Sequence, residues 1–124
     1  MQFVGTTNAP TPAGHYSQAT VHNGFVFVAG QLAIDPARPD FVAPTIEEQT
    51  ERTLANVAAI LDAAGSGLDR VLQMTIYISD IALWGQVNAT YARVMGTHKP
   101  ARAIVPTKDL HHGFLIEIQA VAHT

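Results

Sequence analysis

The sequence predicts a single α+β domain, residues 1–124, in which a mixed β-sheet carries two helices on one face in the order ββαβαββ. Two observations predict this class. Short segments rich in β-branched and aromatic residues recur along the chain, and two longer segments between them repeat apolar residues at helical spacing. Strand–helix–strand units beside a hairpin favour a mixed sheet with both helices on one side.

The first two strands form a predicted hairpin. The segments "YSQATV" and "GFVFVAGQ" are rich in β-formers, and Asn23-Gly24 between them is a strong signal for a tight turn. The turn-rich segment "DPARPDFVAP" then predicts a loop. Residues 45–65 predict the first helix, because Thr45 and Glu48 form a capping box and Gly65 stands where a C-terminal glycine belongs.

The second half of the chain repeats this alternation. Residues 70–79, "RVLQMTIYIS", predict a strand. Asp80 predicts the start of a second helix that runs to about Met95 and ends at Gly96. Two further strands are predicted over residues 101–105 and 114–122, and they complete the sheet.

One face of the predicted sheet is expected to need a partner. With both helices on one side, the opposite face has no cover within the chain. The faces that carry Val26 and Val28, or Leu115 and Val121, are too apolar to be left to water. We therefore expect a partner subunit on this face.

Composition excludes several classes of function. Seven Lys and Arg against ten Asp and Glu give a net charge of −3, which offers no electrostatic footprint for nucleic acid. The absence of cysteine excludes disulfides, thiolate zinc sites and a cysteine nucleophile. The N-terminus lacks the apolar and basic regions of a signal peptide, and no apolar run approaches the ~20 residues of a membrane helix. We therefore expect a soluble, cytoplasmic protein without a membrane partner.

Two charged residues stand in segments that are otherwise built like core strands. They are Arg102 in "KPARAIV" and Glu117 in "LIEIQAVA". Burying a guanidinium or a carboxylate is costly unless the charge is paired or used. Either the two hold each other as a buried ion pair, or they bind a molecule from outside.

Six motifs along the chain resemble those of one family in order and spacing. They include "AGHYSQAT", "FVFVAGQLAIDP", "VNATYARV", "KPAR" and "LIEIQAVA". They resemble the reactive intermediate deaminase family, also called RidA, YjgF or UK114. The resemblance implies a chorismate-mutase-like fold, a homotrimer with clefts between subunits, and hydrolysis of enamines and imines such as 2-aminoacrylate to 2-keto acids and ammonia. It implies no metal and no organic cofactor.

The resemblance also implies which residues act. Arg102 would bind the substrate carboxylate through two parallel hydrogen bonds, and Glu117 would activate water and relay protons to the leaving amine. The implied substrate-binding positions are Tyr16, Gly30, Asn88, Arg102 and Ile104.

Three of these positions have a structural alternative. Tyr16 fits a half-buried strand aromatic, Gly30 fits a β-bulge, and Asn88 fits a helix residue that bonds a neighbouring loop.

The chain departs from the family pattern at three positions. Ala29 replaces a serine, Ile104 replaces a frequent cysteine, and His111 replaces a proline. Because His111 and His112 are adjacent, on an extended segment they are expected to point to opposite faces, as solvated loop residues, with an acid–base role in the cleft as the alternative. No histidine pair has the spacing of a helical metal site, so no metal is expected.

Two other functions compete with imine hydrolysis. A non-catalytic module that binds small carboxylates would use the same cleft as a sensor, and the changes at Ala29 and His111 motivate it. An RNA-acting translation inhibitor is also suggested by the family. The absence of a basic cluster argues against the latter.

Overall fold

The computed structural model describes all 124 residues and contains a six-stranded sheet with two α-helices on one face. In chain order the elements are β1 Gln2–Val4, β2 Ala19–His22, β3 Phe25–Leu32, α1 Ile46–Ala63, β4 Val71–Ile78, α2 Trp84–Met95, β5 Ala101–Pro106 and β6 Ile116–His123. The strands lie in the order β1-β2-β3-β6-β4-β5, with β4 and β5 parallel and the other pairs antiparallel. The predicted mixed α+β fold is confirmed, with β1 as an additional strand.

The predicted hairpin turn and the two ends of the first helix lie where the sequence placed them. Asn23 and Gly24 have positive φ angles of 50° and 79°, as a two-residue hairpin turn requires. The Glu48 amide donates to Oγ1 of Thr45 at 3.2 Å and caps α1. After α1, Gly65 has a φ of 78°, which allows the chain to leave the helix in a left-handed turn.

The second helix begins later than predicted. Oδ1 of Asp80 accepts a hydrogen bond from the Ala82 amide at 2.9 Å, and this caps a single 3-10 turn, Ile81–Leu83. The α-helical hydrogen bonds of α2 begin only at Trp84. Neither helix is long and apolar enough to span a membrane.

The core lies between the helices and one face of the sheet, and the other face is open. Val26 and Val28 are buried in this core, so the expectation that they need a partner subunit was wrong. Strand alternation puts Phe25 and Phe27 on the opposite, open side, where each is nearly half exposed. Val121 shares that open face as the cross-strand partner of Phe27. The uncovered apolar surface is therefore present, but it is built from the alternate residues of β3.

Candidate active site

Glu117 lies on the open face of the sheet. Its neighbours Ile116 and Ile118 are buried beneath the helices, so alternation directs the Glu117 side chain to the other side. The carboxylate is half buried and forms no ion pair or hydrogen bond within the chain. It is therefore available to bind a molecule or to exchange a proton.

Gly30 provides the space that this carboxylate occupies. A bulge between Val28 and Gln31 shifts the register of β3 against β6, and Nε2 of Gln31 supports it by donating to the carbonyls of Ala29 at 3.2 Å and Gly30 at 3.3 Å. A Cβ atom on Gly30 would lie 2.5 Å from Oε2 of Glu117. The carboxylate can rest against β3 only because residue 30 has no side chain.

A cavity of about 360 Å³ surrounds these groups, and we call it the Glu117 cavity. Tyr16 lies at its edge and is 51% exposed as a residue, and its hydroxyl accepts a hydrogen bond from the Ala13 amide at 3.3 Å. The cavity is lined by Pro10, Thr11, Ala13, Tyr16, Ala29, Gly30, Gln31, Leu32, Ile34, His111, His112 and Glu117.

The two histidines of this cavity do not point to opposite faces, as the sequence predicted. They belong to a 3-10 turn, His111–Gly113, in which His112 has a left-handed φ of 60°. This conformation brings the two rings together, with their centres 3.8 Å apart and their planes 19° from parallel. Both histidines thus line the Glu117 cavity while they remain exposed to solvent. The expectation of an extended segment with the two rings on opposite faces was wrong, whereas their exposure to solvent agrees with the prediction.

Arg102 belongs to a second cavity, on the helix side of the sheet. It is the second residue of the edge strand β5 and pairs with Met74 of β4, which is buried beneath the helices. Nη1 of Arg102 donates to Oδ1 of Asn88 at 2.9 Å. This Arg102 cavity has a volume of about 370 Å³ and is lined by Asn88, Tyr91, Ala92, Met95, Gly96, His98, Lys99, Pro100 and Arg102.

Three residues of α2 hold the guanidinium in place. Trp84, Asn88 and Tyr91 follow one another at helical spacing, so they share one face of α2. The guanidinium carbon lies 4.9 Å from the centre of the Tyr91 ring and 5.7 Å from that of Trp84, within cation–π range. Burial raises the pKa of Tyr91 above its ordinary value of 10.0, against the lowering effect of the Arg102 charge, so the hydroxyl stays neutral.

Ile104 shares the face of Arg102 but lines neither cavity. It pairs with Ile76 and is half buried against the hydrophobic core. Asn88 contacts Arg102 rather than a loop, so it orients the guanidinium.

Arg102 and Glu117 do not meet within one chain. Arg102 pairs with Met74 and Glu117 with Tyr77 on opposite sides of β4, which separates their Cα atoms by roughly 14 Å at usual strand spacing and rise. Their side chains also leave opposite faces of the sheet. The structure therefore rules out an ion pair between them inside the chain.

Sequence reasoning named Asn88, His111 and His112 as candidates, but it missed two arrangements at these cavities. The spacing of Trp84, Asn88 and Tyr91 on one helix face would have indicated the support for Arg102. The stacking of His111 and His112 had only one signal, the glycine that follows them and favours a turn.

Comparisons with known proteins agree over almost the whole chain. The family model described as endoribonuclease L-PSP matches residues 6–124. A RutC family protein of Pyrococcus horikoshii is 42% identical over 122 residues, which are 98% of this chain and 97% of that protein.

Solved structures agree as well. RidA from the Antarctic bacterium Psychrobacter superposes with a TM-score of 0.95 at 29% identity and 100% coverage of both chains. The YjgF gene product of E. coli superposes with a TM-score of 0.94 at 30% identity, covering 99% of this chain and 98% of that one. The chain therefore belongs to the RidA/YjgF/UK114 family that its motifs indicated.

Proposed function

We propose that this protein is an enamine and imine deaminase, a hydrolase that converts 2-imino acids of the 2-aminoacrylate type to 2-keto acids and ammonia. The observation that carries the proposal is a pair of half-buried charges, Arg102 and Glu117, each at a cavity and each without an ionic partner in its own chain. Because uncompensated charges are costly to bury, such groups are typical of binding and catalysis.

Arg102 suits the carboxylate of the substrate. A guanidinium is planar and permanently charged, and it binds a carboxylate through two parallel hydrogen bonds. Asn88 occupies only one of its nitrogen atoms, Nη1, so the remaining N–H groups can donate to a ligand. The Tyr91 and Trp84 rings limit how far the guanidinium can move, which favours one orientation of the bound carboxylate.

Glu117 suits the proton transfers of the reaction. It takes a proton from water as the water oxygen bonds to the imine carbon, and the C=N double bond becomes a C–N single bond. The carboxyl group then passes this proton to the nitrogen, which gives a tetrahedral carbinolamine. Glu117 next takes the proton of the new hydroxyl and passes it to the amine, so the carbonyl of the 2-keto acid forms as the C–N bond breaks and ammonia leaves. One water is consumed and one ammonia is released.

The two charges can act on one small molecule only if two chains form the site. We infer a homotrimer in which the edge strand β5 and the Arg102 cavity of one chain meet the open face and the Glu117 cavity of the next. The exposed Phe25 and Phe27 side chains of that open face support such a contact, because large apolar surface favours burial. A ring of three copies with head-to-tail contacts would repeat the same composite cleft at each boundary.

The first test is Glu117→Gln, which keeps the size of the side chain but removes the carboxylate. We expect turnover to fall by ~10²–10⁴-fold, because that is the usual contribution of a general acid–base group, while binding of a 2-keto acid largely survives. The assay generates a 2-imino acid with an amino-acid oxidase and measures the acceleration of ammonia release.

Glu48→Gln is the matched control, since Glu48 lies on the exposed side of α1 and should not affect turnover. Unchanged turnover in Glu117→Gln would make Glu117 structural. A wild-type protein that binds 2-keto acids without accelerating ammonia release would instead be a carboxylate-binding sensor module.

The second test is Gly30→Ala, which adds one methyl group beneath the same carboxylate. The new Cβ would lie 2.5 Å from Oε2 of Glu117, so the carboxylate must move while the backbone stays in place. We expect turnover to fall at least ~10-fold with little loss of thermal stability, because small displacements of catalytic groups are costly. Kinetics and a melting curve on the same sample check this.

Gly85→Ala provides the matched control for the added methyl group. A Cβ atom on Gly85 meets nothing within 4 Å, and alanine favours the helix that contains it. Full activity in Gly30→Ala would show that the position of the Glu117 carboxylate does not matter for the reaction.

A further inference from the structure

A further cavity adjoins the Glu117 cavity, and we call it the loop cavity because the β3–α1 loop forms much of its wall. Its volume is about 530 Å³. The two cavities share four lining residues, namely Pro10, Thr11, Ile34 and His112. A molecule held beside Glu117 can therefore extend past His112 into the loop cavity.

His112 is placed at this junction by an unusual backbone conformation. Its φ of 60° is uncommon for a residue other than glycine, and such strain often marks functional sites. The turn stacks the His112 ring on that of His111, which lines the Glu117 cavity only. The pair thus forms a flat wall that leads from one cavity to the other.

The loop cavity has an apolar floor and polar groups nearer its exposed side. The buried lining residues are Ala9 and Phe114, at 2% and 3% exposure, whereas Thr7 and Asp40 are exposed. Asp40, whose carboxylate is exposed to solvent, is the only acidic residue among the lining residues, and none of them is Lys or Arg. An apolar group loses water on entering such a space, while an acidic side chain would meet a like charge.

We propose that the loop cavity is the subsite for the side chain of the 2-imino acid, so that this protein favours substrates with a large apolar side chain, aromatic ones included. This inference rests on the proposed function and adds the substrate class. A methyl side chain leaves the loop cavity empty, whereas a benzyl side chain extends into it. The volume lies within the usual range of small-molecule sites.

The test compares two imines made in the assay by an amino-acid oxidase, one from alanine and one from phenylalanine. We expect the wild-type protein to hydrolyse the phenylalanine-derived imine with the higher kcat/KM, by about 10-fold or more, since each added methylene in an apolar pocket contributes about 10-fold or more. Val42→Trp, at an exposed lining residue, should fill the loop cavity. It should lower kcat/KM for the phenylalanine-derived imine by about 10-fold or more and leave the alanine-derived imine within about 2-fold.

Two further variants keep the test decisive. Thr7→Trp fills the same cavity from another exposed position. If one of the two tryptophan variants fails to fold, the other still tests the subsite. Ala63→Trp adds the same bulk at the exposed end of α1 and should change neither rate.

The outcomes separate this inference from the proposed function. Hydrolysis of both imines with no preference, or equal effects of Val42→Trp on both, would overturn the side-chain subsite and leave the deaminase proposal standing. A preference that Val42→Trp does not reduce would also overturn it. A wild-type protein that accelerates neither hydrolysis would overturn both.

Discussion

Arg102→Ala is expected to lower kcat/KM for a 2-imino acid by roughly 10²–10⁴-fold while the chain remains folded. The substrate carboxylate would lose two charge-assisted hydrogen bonds, each worth about 1.5–3 kcal/mol. The stability of the fold should decrease less than substrate binding does. Within its own chain Arg102 makes one hydrogen bond, to Asn88, and two ring contacts, and it neutralises no carboxylate. The free energy of unfolding should therefore fall by only about 1–2 kcal/mol.

Imine hydrolysis, thermal stability and mass in solution are all measured on the same sample of the variant. Arg93→Ala is the matched control, because Arg93 is an exposed arginine of α2 that pairs only with Glu51. Arg102→Lys should recover little activity, since it keeps the charge but loses the planar fork. Wild-type rates in folded Arg102→Ala would refute the binding role. Loss of assembly before loss of activity would instead point to an ion pair between chains.

The features that could be predicted from the sequence are those specified by local chemistry. Asn23-Gly24, Thr45 and Gly65 each act within a few residues, through backbone angles or capping hydrogen bonds, so the turn and the ends of α1 follow from them. The strand β1 could not be predicted in this way. It has only three residues and is ordered by pairing with β2, a contact between distant segments that leaves no periodic pattern.

Which side of each strand packs against the helices could not be predicted from neighbouring residues either. Alternation separates Val26 from Phe27, but it does not say which of the two sides meets the helices. The same limit applies to Arg102 and Glu117. Their motifs identify both, yet only the sheet order, with β4 between β5 and β6, places them on opposite faces.

The turn at His111 and His112 shows a third kind of limit. On an extended segment, the side chains of two adjacent residues point in opposite directions. Here the two rings come together because His112 adopts a left-handed backbone conformation. Histidine accepts that conformation only at some cost, so the sequence favours the extended alternative. The surrounding turn overrides this preference, and the cavity wall depends on it.

A site divided between two chains makes a prediction that no single substitution can test. If Arg102 comes from one chain and Glu117 from the next, trimers that mix Arg102→Ala chains with Glu117→Gln chains will contain some complete sites. In those sites the Glu117→Gln chain supplies the arginine and the Arg102→Ala chain supplies the carboxylate. In a random equal mixture one boundary in about four has this order, so roughly a quarter of wild-type activity should return.

The experiment unfolds and refolds the two inactive variants together, and each variant alone under the same conditions. Native mass spectrometry first establishes that three-chain hybrids have formed, since a stable monomer in solution would already remove the shared cleft. Recovered activity in the mixture, absent from either variant alone, requires that separate chains provide the two residues. The double variant Arg102→Ala/Glu117→Gln, mixed with either single variant, is the control, because no boundary in those hybrids carries both groups. Hybrids that form and stay inactive would mean that the two charges never serve the same substrate, and the proposed mechanism would fail with them.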